Sequence, residues 1–148
     1  MGSTFFSLHY HLVFSTKERR PFIKSEWQPR LHAYLGGIIK GMHGVAEIVG
    51  GVEDHVHILA SPEASALHCG CTSRLEEGVV HVGLRRILIA DSRGRRVPAA
   101  FTVSPTATDS VRRYIATQEA HHHKHSFVDE LTELLNAAGI EFDEKYLL

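Results

Sequence analysis

Two histidines stand two residues apart within an apolar run, in the stretch GGVEDHVHILASP at positions 50 to 62. The run predicts a strand, in which residues i and i+2 point to the same side, so His55 and His57 project from the face opposite Val56. Two imidazoles aimed at one point suit a divalent metal, although further ligands must come from elsewhere in the chain or from a substrate. The alternative is that both histidines are polar residues on the exposed face of a half-buried strand.

A tyrosine and a glutamine stand four residues apart in a second motif, DSVRRYIATQEAHHHK. Tyr114 and Gln118 would lie one turn apart on the same face of the predicted helix. A phenol beside an amide can serve as a nucleophile next to a metal-ligand oxygen, and the adjacent Arg112 and Arg113 could hold a phosphate backbone. Taken singly, Tyr114 could equally be a core aromatic residue and Gln118 a solvated one.

Together these motifs resemble the single-tyrosine branch of the HUH endonucleases, the small transposases of insertion sequences and their relatives associated with repetitive extragenic palindromes. The resemblance covers about 1 to 62 and 99 to 148, through HYHLVFSTKERRP, EDHVHIL, YIATQEAHHHKHSF, FVDELTELL and FDEKY. It implies that His55, His57 and Gln118 bind Mg²⁺ or Mn²⁺ and that Tyr114 is the nucleophile. It also implies single-stranded DNA as substrate, hairpin recognition at element ends, a 5′ linkage, and a homodimer in which the tyrosine helix can serve the histidines of the partner.

The implied chemistry agrees with general physical expectation. The negative oxygens of a phosphodiester repel nucleophiles, and a divalent ion at His55 and His57 would neutralise that charge. A phenol has a pKa of about 10, so Tyr114 needs the field of the metal or a nearby base to become a phenolate. A covalent phosphotyrosine conserves bond energy, which predicts a transposase that cleaves and rejoins DNA. The alternatives are a catalytically inactive or domesticated hairpin-DNA-binding protein of the same fold and, less favoured because position 59 is Leu59, a histidine-triad phosphohydrolase.

Further histidines flank both motifs. The favoured interpretation of the four at the end of the tyrosine helix is a polar helix end where imidazoles meet the C-terminal dipole, although one of the first two could assist at the site. Another H-x-H pair lies on the first predicted strand, and neighbouring strands could bring it near the metal. These residues are His121, His122, His123 and His125 in the first group and His9 and His11 in the second.

Alternating and helical spacing predict the elements that position these residues. We expect strands over 6–14, 45–52, 55–60 and 101–104, with a turn at 53–54. The first helix is expected from Ser25 to 42, with Gln28 at a capping-box position, and the second from an N-cap at Asp109 to 124. The third helix is expected from Ser126 to Gly139, with Asp129 at a capping-box position. This order predicts a single domain over 1–148 of the α+β class, a ferredoxin/RRM-like, mostly antiparallel sheet with helices on one face.

Composition limits the partners of the protein. The formal net charge of −1 excludes a strongly basic overall field, so nucleic-acid contacts must come from local clusters, for which we choose Lys17, Arg19, Arg20, Arg112 and Arg113. The two cysteines form neither a disulfide framework nor a four-ligand zinc site. No stretch approaches the length of a membrane span or the pattern of an export signal, so we expect a cytoplasmic protein.

The segment 62–97 does not match the family. There the family usually has a lysine-bearing helix and a tryptophan, but this chain has no lysine between Lys40 and Lys124, and Trp27 is its only tryptophan. Reading the codons of 75–82 one base later allows Leu-Lys-Lys-Gly-Ser-Ser-Thr-Trp, so we hypothesise two compensating frameshifts in the gene or in the recorded sequence. A peptide containing LEEGVVHVGLR would establish that the written text is translated.

Overall fold

The computed structural model describes residues 7–41, 43–62 and 98–147, so the atypical segment and the frameshift hypothesis fall largely outside the described residues. Its strands are β1 (His9–Ser15), β2 (Gly44–Gly51), β3 (His55–Pro62) and β4 (Pro98–Val103). Its helices are α1 (Gln28–Gly41), α2 (Thr108–Ala116), α3 (Gln118–His122) and α4 (Phe127–Ala137), with short 3-10 turns at Lys17–Arg19, Pro105–Ala107 and Glu144–Tyr146. In this part of the chain, no helix has the length and apolar character needed to cross a membrane.

The four described strands form one antiparallel sheet in the order β2-β3-β1-β4. The central strand β1 pairs with β3, where Val13 lies opposite His57, and with β4, where His11 lies opposite Phe101. The Val52 amide donates to the His55 carbonyl over 3.1 Å and closes the predicted turn between β2 and β3. The α+β class and the antiparallel sheet are therefore confirmed.

Helices cover both faces of the sheet, and the expectation of helices on one face is wrong. One face packs against α1 in a core that contains Leu12, Phe14, Ile23, Leu31, Leu35, Ile39, Val56, Ile58 and Ala60. The other face packs against α4 in a core that contains Val13, Phe101, Phe127, Leu131 and Leu135. The reason is that both alternating sets of β1 side chains are buried, and the three C-terminal helices follow β4 onto the second face.

The helix expected over 109–124 is two helices with a break at Thr117. The Thr117 hydroxyl donates to the Arg113 carbonyl over 2.9 Å, and its φ of −106° and ψ of 20° leave the helical region. A threonine that bonds back to the preceding turn bends a helix in this way. Asp109 is not the N-cap, because the 3-10 turn at Pro105–Ala107 leads directly into the helix and places Ala107 at that position.

Local capping was predicted correctly for α4 and incorrectly for α1. Ser126 is the N-cap of α4, since its hydroxyl accepts from the Asp129 amide at 3.2 Å and donates to the Asp129 carboxylate at 2.6 Å. Gly139, with φ of 67°, follows the end of α4. The Gln28 side chain, by contrast, donates to the Gly51 carbonyl over 2.9 Å and so ties α1 to β2.

Candidate metal and nucleophile site

The two motif histidines are buried under the C-terminal helices. His55 and His57 are each 0% exposed, on the β3 face that also carries Val13 of the neighbouring strand, and their ring centroids lie 4.9 Å apart. The alternative of two polar residues on an exposed strand face is therefore wrong. Buried imidazoles need hydrogen-bond partners or a metal, so the groups around each ring decide what the pair can do.

A hydrogen bond fixes the Nδ1 atom of three rings. Asp54 Oδ1 lies 2.6 Å from His55 Nδ1, and the His125 carbonyl lies 2.9 Å from His122 Nδ1. Because a carboxylate and a carbonyl accept, these two Nδ1 atoms carry protons, and Nε2 is the atom that each ring in its neutral form can offer to a metal. The third ring is that of His57, whose Nδ1 lies 2.8 Å from the Nε2 atom of His11. Partners of this kind orient metal-binding histidines in proteins.

Glu130 of α4 brings a carboxylate to the three Nε2 atoms. Its Oε2 lies 2.8 Å from His122 Nε2 and 3.4 Å from His55 Nε2, and its Oε1 lies 3.4 Å from His57 Nε2. One ligand atom from each of these four residues lies within 4.8 Å of all the others. His57 Nε2 is buried and has no hydrogen-bond partner. The donor set therefore fits a divalent ion, which would satisfy this orphaned nitrogen.

The tyrosine and the glutamine of the second motif meet the same cluster. The Tyr114 hydroxyl donates to Glu130 Oε1, and its ring centroid lies 5.7 Å from that of His57. Gln118 is 1% exposed; its Oε1 lies 3.3 Å from His55 Nε2 and its amide donates to Glu130 Oε1 over 3.1 Å. The four residues chosen from the two motifs thus converge within one chain, with Glu130 between them.

Burial sets the protonation of the cluster. It raises the pKa of Glu130 from 4.5 to about 7, and it lowers the pKa of His122 to about 4, with the nearby His55 lowering it further. Burial and then the charges of His55, His122 and His121 hold the pKa of His57 well below 6.5. A neutral Glu130 can therefore donate from Oε2 to the unprotonated His122 Nε2 when no cation is bound.

The pKa values of His11 and Asp54, which contact the histidines of the cluster, are both lowered. Burial and then the charge of His57 lower the pKa of His11 to about 3, so His11 stays neutral at physiological pH. Burial acts to raise the pKa of Asp54, but the hydrogen bond and charge of His55 outweigh it and keep that pKa below 3.8. His55 therefore rests against a permanent carboxylate, while His57 rests against a neutral imidazole.

The flanking histidines divide into those inside and those outside the site. His122, whose side chain is 12% exposed, belongs to the cluster, so the interpretation of the helix end as purely polar is wrong for this residue. His11 contacts His57 as an orienting partner, which the sequence raised only as a possibility. His9 instead lies 2.6 Å from the Glu47 carboxylate, away from the cluster.

The first basic cluster follows β1. The Lys17 side chain lies outside the described part. Arg19 donates to the Leu147 carbonyl over 2.5 Å, and Arg20 forms an ion pair with Glu18. Glu18 and Arg19 have φ of 54° and 52°, a left-handed conformation that non-glycine residues rarely adopt. The turn thus holds Arg19 against the C-terminal end of the described chain.

The second basic cluster lies on α2. Arg112 forms ion pairs with Glu47 at 2.6 Å and with Asp109 at 3.1 Å, and the Glu47 side chain is only 14% exposed. Arg113 is exposed, and its Nε donates to the Asp109 carbonyl over 3.4 Å. Arg112 therefore ties the tyrosine helix to β2, whereas Arg113 faces solvent.

A cleft of about 750 Å³ opens beside the cluster. Its lining includes His122 and Asp54 from the cluster and its surroundings, the side chains of Arg19 and Gln28, and the apolar surface of Phe127. Because His122 belongs to both the cluster and the cleft, the cleft gives a path from solvent to the cluster.

The sequence analysis did not identify Glu130 as a site residue, although its position in the sequence indicates that it is buried. Glu130 follows Phe127 by three residues and precedes Leu134 by four, so it lies on the apolar stripe of α4. A carboxylate on such a stripe is buried, and it is indeed 2% exposed.

Comparisons with known proteins bear on the fold and the family. The family model described as "Transposase IS200 like" matches residues 4–67, which include β1, α1, β2 and β3 with both motif histidines. No curated protein matches the chain. Among solved structures, a REP-associated tyrosine transposase bound to a REP hairpin is 13% identical with a TM-score of 0.50, over 82% of this chain and 74% of that one, which shows a shared fold. A protein of Deinococcus radiodurans R1 assigned as a transposase is 18% identical with a TM-score of 0.48, over 80% of this chain and 96% of that one.

Proposed function

We propose that the chain is a metal-dependent single-stranded DNA transposase, in keeping with the match of residues 4–67 to the family model described as "Transposase IS200 like". It cleaves and rejoins DNA at hairpin-marked ends through a covalent 5′-phosphotyrosine intermediate. The observation that carries this proposal is the convergence of Tyr114 and Gln118 on His55 and His57 in one buried cluster.

The proposed roles follow from the chemistry of each side chain. His55, His57 and Gln118 hold the metal, which is Mg²⁺ or Mn²⁺. When bound, such an ion neutralises the charge of the scissile phosphate. The Tyr114 hydroxyl releases its proton to solvent, and its oxygen attacks the phosphorus and forms a tyrosine–phosphate bond while the bond to the 3′ oxygen breaks. That oxygen leaves as a 3′ hydroxyl after taking up a proton from solvent. A later 3′ hydroxyl reverses the step and rejoins the strand.

The cleft and the basic residues provide the surface for the substrate. A single strand that enters the cleft passes Arg19 and reaches His122 at the edge of the cluster. Lys17, Arg20 and Arg113 are proposed to contact its phosphates, since Arg and Lys side chains supply most backbone contacts to nucleic acids. Hairpin DNA is the proposed ligand, in keeping with the fold shared with a transposase solved on a REP hairpin. The cytoplasmic location is part of the same proposal.

Trapping of a covalent adduct tests the function. The protein is incubated with hairpin-ended oligonucleotides and Mg²⁺ or Mn²⁺, and denaturing gels should reveal a protein–DNA adduct. Tyr114→Phe should abolish the adduct and leave DNA binding intact, whereas Tyr34→Phe, a matched change on the exposed side of α1, should leave both intact. An adduct with Tyr114→Phe would disprove the nucleophile assignment. Binding without any adduct in the wild-type chain would favour an inactive DNA-binding protein.

A homodimer is proposed from the resemblance, and the tyrosine is proposed to act within its own chain. Tyr114 donates to Glu130 of the same chain, and only four residues, 104 to 107, separate β4 from α2. Coexpressed Tyr114→Phe and His57→Ala chains should therefore form no adduct when purified together. Restored adduct formation in the mixed protein would show that the tyrosine serves the histidines of a second chain.

A further inference from the structure

Glu130 is a buried carboxylate that lacks a permanent cationic partner. It is 2% exposed, and within the described ranges its ion-pair contacts are all with imidazoles, those of His55, His57, His121 and His122. A buried carboxylate is costly unless a cation or several hydrogen bonds compensate it. None of these partners is a lysine or an arginine, whose charge is permanent, so this position suits a cation from outside the chain.

The orientation of the surrounding nitrogens leads to the same requirement. Asp54 and the His125 carbonyl fix the Nδ1 protons of His55 and His122, so the Nε2 atoms, which are the ligand atoms of the neutral rings, face the carboxylate oxygens. Lone pairs that face an acceptor repel it unless a proton or a metal lies between them. A proton can serve only one of these contacts at a time, whereas one metal ion can bind several of the atoms together.

The ligands proposed for the metal so far are all uncharged. Two imidazoles and the amide oxygen of Gln118 provide no negative charge, although Mg²⁺ and Mn²⁺ favour carboxylate oxygen. Of the residues in the metal-binding cluster, Glu130 alone is a carboxylate. The Asp54 carboxylate, also nearby, is already used by His55 Nδ1.

We propose that Glu130 is the anionic ligand of this metal, with His122 as an additional imidazole ligand, and that the same carboxylate positions the Tyr114 hydroxyl. This inference rests on the proposed metal-dependent function. Glu130 Oε1 accepts from the Tyr114 hydroxyl and from the Gln118 amide, while Oε2 faces His122 and His55. The carboxylate therefore links the ion to the nucleophile, and Gln118 orients that carboxylate as well as facing His55.

Metal binding measured without DNA tests the ligand role. Mn²⁺ is the probe, because an imidazole-rich set suits it better than Mg²⁺ and free Mn²⁺ is quantified by electron paramagnetic resonance. Glu130→Gln should weaken Mn²⁺ binding by at least about tenfold, since even outer partners of metal ligands contribute 10- to 100-fold. Glu133→Gln, the same change on the exposed side of α4, and Tyr114→Phe should stay within about twofold of wild type. Binding by Glu130→Gln within twofold of wild type would overturn the inference.

Tyrosine absorbance tests the positioning role. Mn²⁺ should change the ultraviolet difference spectrum of the wild-type protein, and Tyr114→Phe should not show this change. Glu130→Gln should not show it either, even at Mn²⁺ concentrations that saturate the metal site of this variant. An unchanged difference spectrum in saturated Glu130→Gln would refute the link to Tyr114. If Glu130→Gln fails to fold by circular dichroism, Glu130→Asp replaces it: affinity lower than wild type supports the ligand role, and equal affinity overturns it.

The two proposals fail separately. Loss of Mn²⁺ affinity in Glu130→Gln together with no adduct on any hairpin would leave the ligand assignment standing and refute the transposase function. Adduct formation by the wild-type chain together with unchanged Mn²⁺ affinity in Glu130→Gln would support the function and refute the ligand assignment.

Discussion

Removal of the Glu130 charge should stabilise the protein when no metal is present. Burial raises the pKa of Glu130 from 4.5 to about 7, so the folded state resists ionisation that the unfolded chain undergoes freely. Below pH 4.5 both states are protonated and there is no penalty. The penalty grows as the pH rises from 4.5 and is complete above about pH 7. One pKa unit is worth about 1.4 kcal/mol, so the full penalty is about 3 kcal/mol.

Glu130→Gln removes this penalty and keeps most of the contacts. The amide oxygen can still accept from Tyr114, and the amide nitrogen can donate to His122 Nε2, which is unprotonated because the pKa of His122 is about 4. For a chain of this length 1 kcal/mol shifts Tm by about 2–4 °C, so the variant should melt about 6–12 °C above wild type at pH 8.5. The difference in Tm between the variant and the wild-type protein should shrink as the pH falls to 5.

Thermal denaturation in EDTA between pH 5 and 8.5, followed by circular dichroism, measures the difference. Glu133→Gln is the control, because it removes an exposed carboxylate from the same helix and should show no comparable rise with pH. A Glu130→Gln variant that is less stable than wild type at pH 8.5, or a difference that does not change with pH, would refute the assignment of Glu130 as a carboxylate whose ionisation opposes folding. Saturating Mn²⁺ should narrow or reverse the difference, since an ion that binds the folded state stabilises it.

Two further predictions concern the docking and the charges of the tyrosine helix. A Cβ on Gly50 would lie 2.5 Å from the Ile115 carbonyl oxygen, so Gly50→Ala should displace α2, lower stability by about 1–3 kcal/mol in urea unfolding and slow adduct formation, whereas Gly37→Ala, which meets nothing within 4 Å, should not destabilise. Arg112→Gln should leave the salt dependence of single-strand binding unchanged because Glu47 and Asp109 already neutralise it, whereas Arg113→Gln should reduce the slope of log affinity against log salt by about 0.7; equal effects would refute this division.

The strands of the sheet and the shared face of the two motif histidines could be predicted from the sequence, because the side-chain periodicity of a strand is local. Alternation alone places His55 and His57 on one face, whereas the burial of both sides of β1, with the His11 side chain 3% exposed, was not expected. The N-cap of α4 was equally local, since Ser126 and Asp129 interact within one turn. The shared face of two strand residues and the cap of a helix could therefore be predicted, because each depends on residues no more than three positions apart.

Two features depended on packing and were not predicted. The break at Thr117 comes from a hydroxyl that can either face solvent or bond back to Arg113, and the sequence does not decide between them. The partners of His57 come from β1 and α4, far away in sequence, so spacing could not join His11 or Glu130 to the motif. The carboxylate on the apolar stripe of α4 was a usable signal, and it indicated burial without indicating a partner.

The two faces of the central strands divide stability from chemistry. On β3, Val56 and Ile58 complete an apolar core with α1, and both are 0% exposed. The opposite face carries His55 and His57, whose burial disfavours a charge on His57 and, with α4 in place, on Glu130. Such a face costs free energy in the absence of a cation, and the α1 core offsets that cost. Metal binding should therefore stabilise the fold most above pH 7, where Glu130 would otherwise be a buried unpaired anion.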